Sequence, residues 1–387
     1  MSDRRIKILH VIDSLPREGA EILLYDLVSR CDRGSFSFAV AALTRGGGVA
    51  EMLRDAGVPV HLLGRRSRWD LSAFLRLRRM IGEFRPAIVH THLFSSRVWG
   101  TLASRLAGVP SAVLHTEHNT SEWKGLRRAA LDRVLSRLTA RIVAVSGPVK
   151  DSLIAVCRIA PDKIAVIENG LNFERLKAAV SREDQLRELG LPPEALLVGI
   201  VAALTPKKGH VYFLEAAERI LARRKDVYFL ILGEGELRGE LERCVEERGL
   251  AKNIRLLGSR PDALRIMGAL DVFALSSVRE GLSLALLEAM ALGRAVAVTA
   301  VGGMVSVVED GRTGLLVPPG DAAALEEALD RLLSRPDLRR EMGGRAAAAV
   351  RARFDAEKMI RAYEKLYQQI SQKSEVRSKK WEVRRQK

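Results

Sequence analysis

Cysteine is nearly absent. Three occur in 387 residues, Cys31, Cys157 and Cys244, widely spaced and in no C-x-x-C pair. That excludes a disulfide scaffold and an ordinary cysteine zinc site, and it fits a reducing, cytoplasmic setting. Aromatic residues make up 5% of the chain. A single-strand nucleic-acid binder would interleave basic charge with exposed rings, so this scarcity argues against one, and no nucleic-acid recognition motif is present. No apolar run reaches the roughly 18 residues of a spanning helix. The opening MSDRRIKILHVIDSLPREGAE is basic without a long apolar stretch, so no signal peptide is expected. Aspartates never form a D-x-D pair, which removes the obvious carboxylate clamp for Mg²⁺. Metal-independent chemistry, with protein cations in the metal's place, is therefore expected.

Hydrophobic residues are 47% of the chain, enough for more than one core, and two domains are expected from the length. The net charge is +16 and unevenly placed: residues 1–180 carry +11, residues 181–370 carry 0 and residues 371–387 carry +5. A basic first half points to an anionic partner.

Short apolar runs alternate with helical stretches. Strands are expected at Ile6–Ile12, Ser37–Leu43, Pro59–Leu63, Ala87–His90, Ala112–His115 and Arg141–Val145, with amphipathic segments such as Glu21–Ser29 and Leu71–Glu83 between them. That alternation reads as βαβ units and a parallel sheet. The charged run Asn172–Glu194 breaks the rhythm and marks the inter-domain boundary. A second series follows at Leu196–Ala202, Val227–Leu232, Asn253–Leu257, Asp271–Leu275, Ala295–Val298 and Gly314–Val317. Asp355–Ile370 has the spacing of a final helix, and the basic tail after it is expected to be loosely ordered. Two doubly wound α/β domains place ligands at the carboxyl ends of the strands, with the cleft between domains as the natural site.

The richest stretch is SSVREGLSLALLEAMALGRAVAVTAVGGMVSVVEDGRTGLLVPPGD, residues 276–321. Glu280 and Glu288 stand eight apart, with Gly281, Leu282 and Ser283 leading into a helix. A helix opening after a glycine-bearing turn points unpaired N–H groups outward, and its dipole suits a phosphate. One carboxylate can then meet sugar hydroxyls and the other a ribose diol. An isolated glutamate pair reads as two solvated helix carboxylates; the surrounding glycines argue against that. In LTPKKGHVYFLEAA, Lys208 opens a helix and can set its ammonium on a diphosphate, although a lone lysine there is often a surface residue.

Together these residues resemble the retaining glycosyltransferases of family 4, on the GT-B fold: two Rossmann-like doubly wound domains facing across a cleft. VIENGLN (166–172), LGEGEL (232–237) and LGSRPD (257–262) match as well. The resemblance implies an acceptor-binding domain over 1–180, a nucleotide-sugar donor domain over 181–353, and a helix and basic tail over 354–387 returning to the first domain. It implies that Glu280 binds hydroxyls of the transferred sugar, Glu288 the ribose, and Lys208 the diphosphate. Gly281, Leu282 and Ser283 would offer backbone N–H groups to phosphate. Arg260 lies where the base is held, through its backbone, and Gly233 lies in the matching LGEGEL turn. Gly19 sits in the glycine-rich loop under the phosphates, and His118 touches the donor sugar near the reacting carbon. The donor would be UDP- or GDP-linked, with no cofactor or metal. Retention, with the acceptor hydroxyl deprotonated late by the leaving phosphate, is likewise implied.

Three departures stand out. Ala203 occupies the place of a usual arginine, so one phosphate cation is missing, with Lys207 or another residue to substitute. Glu18 replaces the first glycine of the N-terminal loop. Met304, Val305 and Ser306 follow Gly302–Gly303 where a glutamate is common.

Other features have plainer readings. LGEGELRG resembles a loose dinucleotide fingerprint, but Arg238 stands at the third glycine place, so a tight strand-to-helix turn is expected. His90 and His92 flank one residue and point the same way, with no third metal ligand evident. Glu117–His118 is a candidate acid–base pair. The segment around Leu71–Glu83 reads as a core helix with a solvated basic face or as an anionic-membrane patch. Trp123, Lys124, Arg127 and Arg128 form a second patch, and Trp381 lies in the basic tail. The expected function is a cytoplasmic, peripherally membrane-bound glycosyltransferase acting on a lipid-linked or cell-surface glycan precursor. The alternatives are a small soluble acceptor and an inactive GT-B scaffold; the second is disfavoured because Glu280, Glu288, Lys208 and His118 are all present.

Overall fold

The computed structural model describes residues 5–121, 125–177 and 181–385. It divides into two units, Met1–Gly170 with Ala356–Lys387, and Leu171–Asp355. The first unit runs β1 (Ile6–Ile12), α1 (Gly19–Arg30), β2 (Phe36–Ala42), α2 (Gly48–Asp55), β3 (Val60–Leu62), α3 (Leu71–Phe84), β4 (Ile88–His92), α4 (Phe94–Leu106), β5 (Ala112–Glu117), α5 (Leu126–Leu138), β6 (Arg141–Ala144), α6 (Gly147–Ala155) and β7 (Ile164–Val166). Its seven strands are ordered β3-β2-β1-β4-β5-β6-β7, and every pairing is parallel.

The second unit runs α7 (Arg182–Glu188), β8 (Leu196–Val201), α8 (His210–Arg223), β9 (Val227–Leu232), α9 (Arg238–Glu247), β10 (Ile254–Gly258), α10 (Ala263–Ala269), β11 (Val272–Leu275), α11 (Leu284–Ala291), β12 (Ala295–Thr299), β13 (Leu315–Val317), α12 (Ala322–Leu333) and α13 (Pro336–Arg353). Its six parallel strands are ordered β10-β9-β8-β11-β12-β13. Runs such as Val227–Leu232 and Ala295–Thr299 are apolar almost throughout because helices cover both sheet faces. In each unit the order reverses once, between β1 and β4 and between β8 and β11. Such reversals open a crevice at the carboxyl ends of the strands.

The charged run at 172–194 holds a 3-10 segment, Phe173–Lys177, and α7, capped by Ser181, whose hydroxyl accepts from the Asp184 N–H. The final helix, α14, runs from Ala356 to Arg385 and so carries into the basic tail. No proline or glycine follows Gly344 to stop it. Its first half is anchored in the first unit by buried Met359, Ile360, Tyr363, Leu366, Tyr367 and Ile370.

The faces of the first sheet differ in chemistry. Leu9, Val11, Val89, Ala39 and Ala41 pack with Leu77, Ile81, Trp99 and Ala103 of α3 and α4 in an apolar core. The alternate residues put imidazoles against α14. His10 pairs in register with His90 across β1 and β4. His90 contacts the Tyr367 hydroxyl through Nδ1 and Thr116 Oγ1 through Nε2, both at 2.8 Å. His115, from β5, meets Thr91 Oγ1 at 3.0 Å.

Burial holds all four rings below their ordinary value of 6.5: His10 at about 3, His115 at about 4, with Arg97 adding to the effect, and His90 and His92 well below, with mutual repulsion added. The unfolded chain takes up these protons near pH 6.5 and the folded one only far lower. Each group therefore contributes stability that is complete above pH 6.5 and is lost as pH falls toward 4 and below, at about 1.4 kcal/mol per pH unit per proton. We expect Tm to fall steeply between pH 6.5 and pH 4 in thermal melts; a flat profile across that window would contradict the burial of neutral imidazoles.

Candidate functional site

At the β8/β11 reversal of the second unit, two loops are fastened together. The loop after β8 ends in a 3-10 turn, Pro206–Lys208, before α8. The loop after β11 carries residues 276–283 into α11. The Val278 and Arg279 N–H groups donate to the Lys207 carbonyl at 2.9 and 3.3 Å. The Ser276 hydroxyl donates to the Lys208 carbonyl at 3.2 Å. This lacing sets Lys208 Nζ 2.5 Å from Glu280 Oε2. Ser277 Oγ donates to the same oxygen at 3.4 Å. Lys208 and Glu280 side chains are only 14% and 10% exposed, so the pair is held largely out of water, where removing one partner strands the other.

Glycine makes this approach possible at Gly302, after β12. Its φ is +51°, and a Cβ there would lie 1.8 Å from the Glu280 carbonyl. The next residue, Gly303, donates its N–H to the Gly281 carbonyl at 2.5 Å. The backbone bearing Glu280 is thus clamped from two sides. Gly233, with φ +144°, does the same for the loop after β9, where a Cβ would lie 1.9 Å from the Ala202 carbonyl. The LGEGEL glycines therefore serve close backbone packing and a tight turn.

The remaining expected residues fall as follows. Ser283 caps α11, its hydroxyl accepting from the Leu286 N–H at 3.3 Å; what it can offer a phosphate is backbone N–H. Leu282 is buried, and Gly281 is fixed through its carbonyl. Glu288 is nearly buried in the second turn of α11. Arg260 follows the edge strand β10, and Asp262 chelates its guanidinium at 2.7 Å through both oxygens. Lys207 is exposed and next to Lys208. In the first unit, Gly19 opens α1 with Glu18 as an exposed N-cap that makes no side-chain cap bond. His118 follows β5 and is half-buried, its Nε2 3.4 Å from His92 Nδ1. The Glu117 carboxylate lies 4.0 Å from His115 Nε2.

Sequence reasoning missed three features. His210, the first residue of α8, is 1% exposed with neither ring nitrogen partnered, and burial beside Lys208 lowers its pKa to about 4. Arg97 of α4 and Asp132 of α5 form a fully buried ion pair at 2.9 Å. The third is His10, which joins His90 and His92 to form a trio whose candidate ligand atoms lie within 4.8 Å of one another. The third candidate ligand beside His90 and His92, not evident in the sequence, comes from β1, about eighty residues away, through the β1–β4 pairing. Nitrogens bound to one tetrahedral zinc would sit roughly 3.3 Å apart. His90 already contacts two hydroxyls and His92 two imidazoles, so hydrogen bonding accounts for the arrangement and a metal would have to displace it.

Residues 181–349 match the family of glycosyl transferases group 1, and residues 17–175 match glycosyltransferase family 4. The chain is 32% identical over 274 residues to the UDP-Gal:alpha-D-GlcNAc-diphosphoundecaprenol alpha-1,3-galactosyltransferase of Escherichia coli, covering 68% of this chain and 70% of that protein. It is 30% identical over 323 residues to the 2-deoxystreptamine N-acetyl-D-glucosaminyltransferase of Streptomyces fradiae, covering 78% and 76%. The crystal structure of Anabaena HepE in complex with UDP and glucose shares the fold, with a TM-score of 0.83 at 21% identity over 94% of this chain and 100% of that one. With two parallel Rossmann-like sheets, a laced Lys–Glu pair at one reversal and these relatives, the chain belongs to the family 4, group 1 glycosyltransferases and has the GT-B fold.

Proposed function

We propose that this glycosyltransferase moves a sugar, with retention of anomeric configuration, from a nucleoside diphosphate sugar to a hydroxyl of a lipid-linked glycan precursor, without a metal ion. The Lys208–Glu280 pair at the β8/β11 reversal carries the reading. Lysine has three N–H donors. One holds Glu280 and the others remain for diphosphate oxygens, while the second carboxylate oxygen remains for a sugar hydroxyl. As the bond from the anomeric carbon to the β-phosphate oxygen breaks, charge builds on the diphosphate. Lys208 and the amino end of α11 are already in place to stabilise it, so little reorganisation is needed. The acceptor oxygen bonds to the anomeric carbon, and its proton passes to the departing diphosphate. Glu288 is assigned the ribose, Arg260 and the Gly233 turn the base, Gly19 the phosphates, and His118 the transferred sugar. The E. coli relative, named for a UDP-galactose donor and a diphosphoundecaprenol-linked acceptor, makes UDP-sugars and polyprenyl diphosphate glycans the first pair to assay. The S. fradiae relative, named for 2-deoxystreptamine, favours the second reading, a small soluble acceptor.

Acceptor-side surface chemistry supports the lipid-linked reading. Trp69 is 81% exposed, just before α3. Leu71 and Leu75 of α3, and Leu102 and Leu106 of α4, are exposed as well. Arg68 stacks on Trp69 at 5.5 Å, and Arg78 donates to the Leu106 carbonyl at 2.8 Å. On α5, Leu126 is 92% exposed beside Arg127. An apolar, aromatic edge rimmed with arginine fits an anionic lipid surface, each cation near it adding about 1 kcal/mol. Trp123 and Lys124 lie outside the described residues, as does the side chain of Trp381. Among the described residues no helix is long and apolar enough to cross a membrane.

In a donor panel with a lipid extract as acceptor source, the enzyme is expected to release nucleoside diphosphate equally with and without EDTA; loss of turnover in EDTA would overturn the metal-free mechanism. Lys208→Met should lower kcat by about 10²–10³-fold in a folded protein, and Glu280→Gln should act in the same direction; near-normal kcat in both would remove the proposed site. In flotation assays, vesicles containing phosphatidylglycerol should bind the protein and pure phosphatidylcholine vesicles should not. Trp69→Ala combined with Leu71→Ala should weaken that binding; equal binding to both vesicle types, or none, would reject the membrane surface.

A further inference from the structure

The rim of the first sheet at the carboxyl ends of β1, β2 and β3 is rich in arginine. The loops after these strands, residues 13–18, 43–48 and 63–70, hold Arg17, Arg45, Arg65, Arg66 and Arg68 against three acids, Asp13, Glu18 and Asp70. The loops are tied to one another. The Thr44 N–H and hydroxyl both donate to the Asp13 carbonyl, at 2.9 and 2.7 Å. The Leu15 N–H donates to the Arg45 carbonyl at 3.3 Å, and the Arg65 N–H to the Leu43 carbonyl at 2.7 Å. The Arg65 guanidinium donates to Ser95 at the start of α4 and lies over the Trp99 ring. Gly48 leaves room for Arg17, whose Nε would stand 2.9 Å from a Cβ there. Neighbouring strands lie about 4.8 Å apart, so the loops make one short rim beside the β1/β4 reversal.

The acids leave an excess of positive charge. Asp70 is engaged as the cap of α3, accepting from the Arg66 and Ala73 N–H groups at 3.0 Å and from the Ser72 hydroxyl at 2.6 Å. Asp13 faces Arg65, whose charge acts on its carboxyl. Glu18 is exposed at the start of α1. Arg17, Arg45 and Arg66 are exposed, and among the described residues their guanidinium groups make neither an ion pair nor a hydrogen bond. Surface arginines of the second unit do find carboxylates, as Arg238 does at Glu234 and Glu242 and Arg248 at Glu218. Like charges held on one rim repel, and an anion seated among them relieves the repulsion. Guanidinium forks match phosphate oxygens, two donors to two acceptors. A nucleic acid would also need rings for its bases, and these loops offer Trp69 alone.

We propose that Arg17, Arg45 and Arg66 hold the diphosphate of the lipid-linked acceptor, with its glycan toward the β1/β4 reversal and its lipid toward the Trp69–Leu71 edge. The assignment rests on the lipid-linked reading above and adds the residues that recognise the phosphates. Strand order supports the layout. β3 is the edge strand and is followed by Trp69 and Leu71, the reversal lies beyond β1, and the arginines stand between the two. A neutral glycoside would leave the guanidinium groups unmatched, so the rim selects a glycan carried on diphosphate over the same sugar without it. The arginines bind the acceptor and take no part in the bonds that form and break.

Two water-soluble probes test it: an octyl diphosphate ester of N-acetylglucosamine and the neutral octyl N-acetylglucosaminide. Each is titrated calorimetrically into the full-length protein, with uridine diphosphate present to fill the donor site. The wild type should bind the diphosphate probe about tenfold or more tightly than the neutral one, as expected for charge-assisted contacts. Arg45→Gln combined with Arg66→Gln should erase most of that preference and leave neutral-probe affinity, uridine diphosphate affinity and Tm unchanged. Arg45→Lys combined with Arg66→Lys, which keeps the charge and loses the fork, should retain part of it. No preference in the wild type, or a preference indifferent to the glutamine variant, overturns the assignment. So does a glutamine variant that keeps the preference but no longer floats with phosphatidylglycerol vesicles, because the arginines would then serve bilayer headgroups. If the wild type releases nucleoside diphosphate from no donor while the arginine-dependent preference is present, the proposed transfer reaction fails and the phosphate rim stands.

Discussion

One ion pair organises the second unit. Lys208 and Glu280 lie 72 residues apart in the chain and meet because β8 and β11 are neighbours where the strand order turns. Neither loop makes the contact alone. The Lys207 and Lys208 carbonyls fasten one loop to the other, and Gly302 and Gly303 press on the Glu280–Gly281 backbone from the β12 side. A cation and a carboxylate shielded from water in this way stabilise each other, and each is poised for a ligand of opposite or hydrogen-bonding character. The arrangement suits a diphosphate sugar: one group for the phosphates, its partner for hydroxyls, with the amino end of α11 close in the chain.

The first unit is held by another sort of constraint. Its sheet buries three imidazoles, His10, His90 and His92, on the side facing α14, and His115 on the side of Arg97, whose buried ion pair with Asp132 joins α4 and α5. Polar groups so deep are tolerated when hydrogen-bonded: hydroxyls of Thr91, Thr116 and Tyr367 bond His90 and His115, and His10 and His92 bond one another, while His10 Nε2 and His115 Nε2 find no hydrogen-bond partner among the described residues. Such networks fix side-chain orientation more tightly than an apolar core would. The same burial ties the unit's stability to neutral pH.

Much of this was legible in the sequence, and what was not has physical causes. Continuous apolar runs such as VYFLIL specify buried parallel strands, and β1 and β9 lie where periodicity places them. Glycines around EGLS and GG signalled close backbone approach, and the structure shows what they approach. The brief strand β7, IAV, was missed although β3 and β13, equally short, were expected. The continuation of α14 past Ile370 was missed because charge was weighed ahead of the absence of any helix breaker. His10 was missed as a partner of His92 because strand register, not sequence distance, brings them together. His210 was passed over because its neighbours Lys208 and Gly209 drew the reading; two unsatisfied ring nitrogens can be seen only in three dimensions. Exposed Trp69 and Leu71 could be assigned to core or surface only once α3 had a face.

The central claim is that Lys208 holds a diphosphate at the β8/β11 reversal, and the direct measurement is calorimetric. Uridine diphosphate and uridine monophosphate are titrated into the wild-type protein and into Lys208→Met, so that the gain from the second phosphate is read with the base and ribose held constant. The account predicts a clear gain in the wild type that shrinks about tenfold or more in the variant, as expected for loss of a charge-assisted contact, while monophosphate affinity changes little. An undiminished gain in the variant would mean that the diphosphate is held elsewhere, and the account would fail.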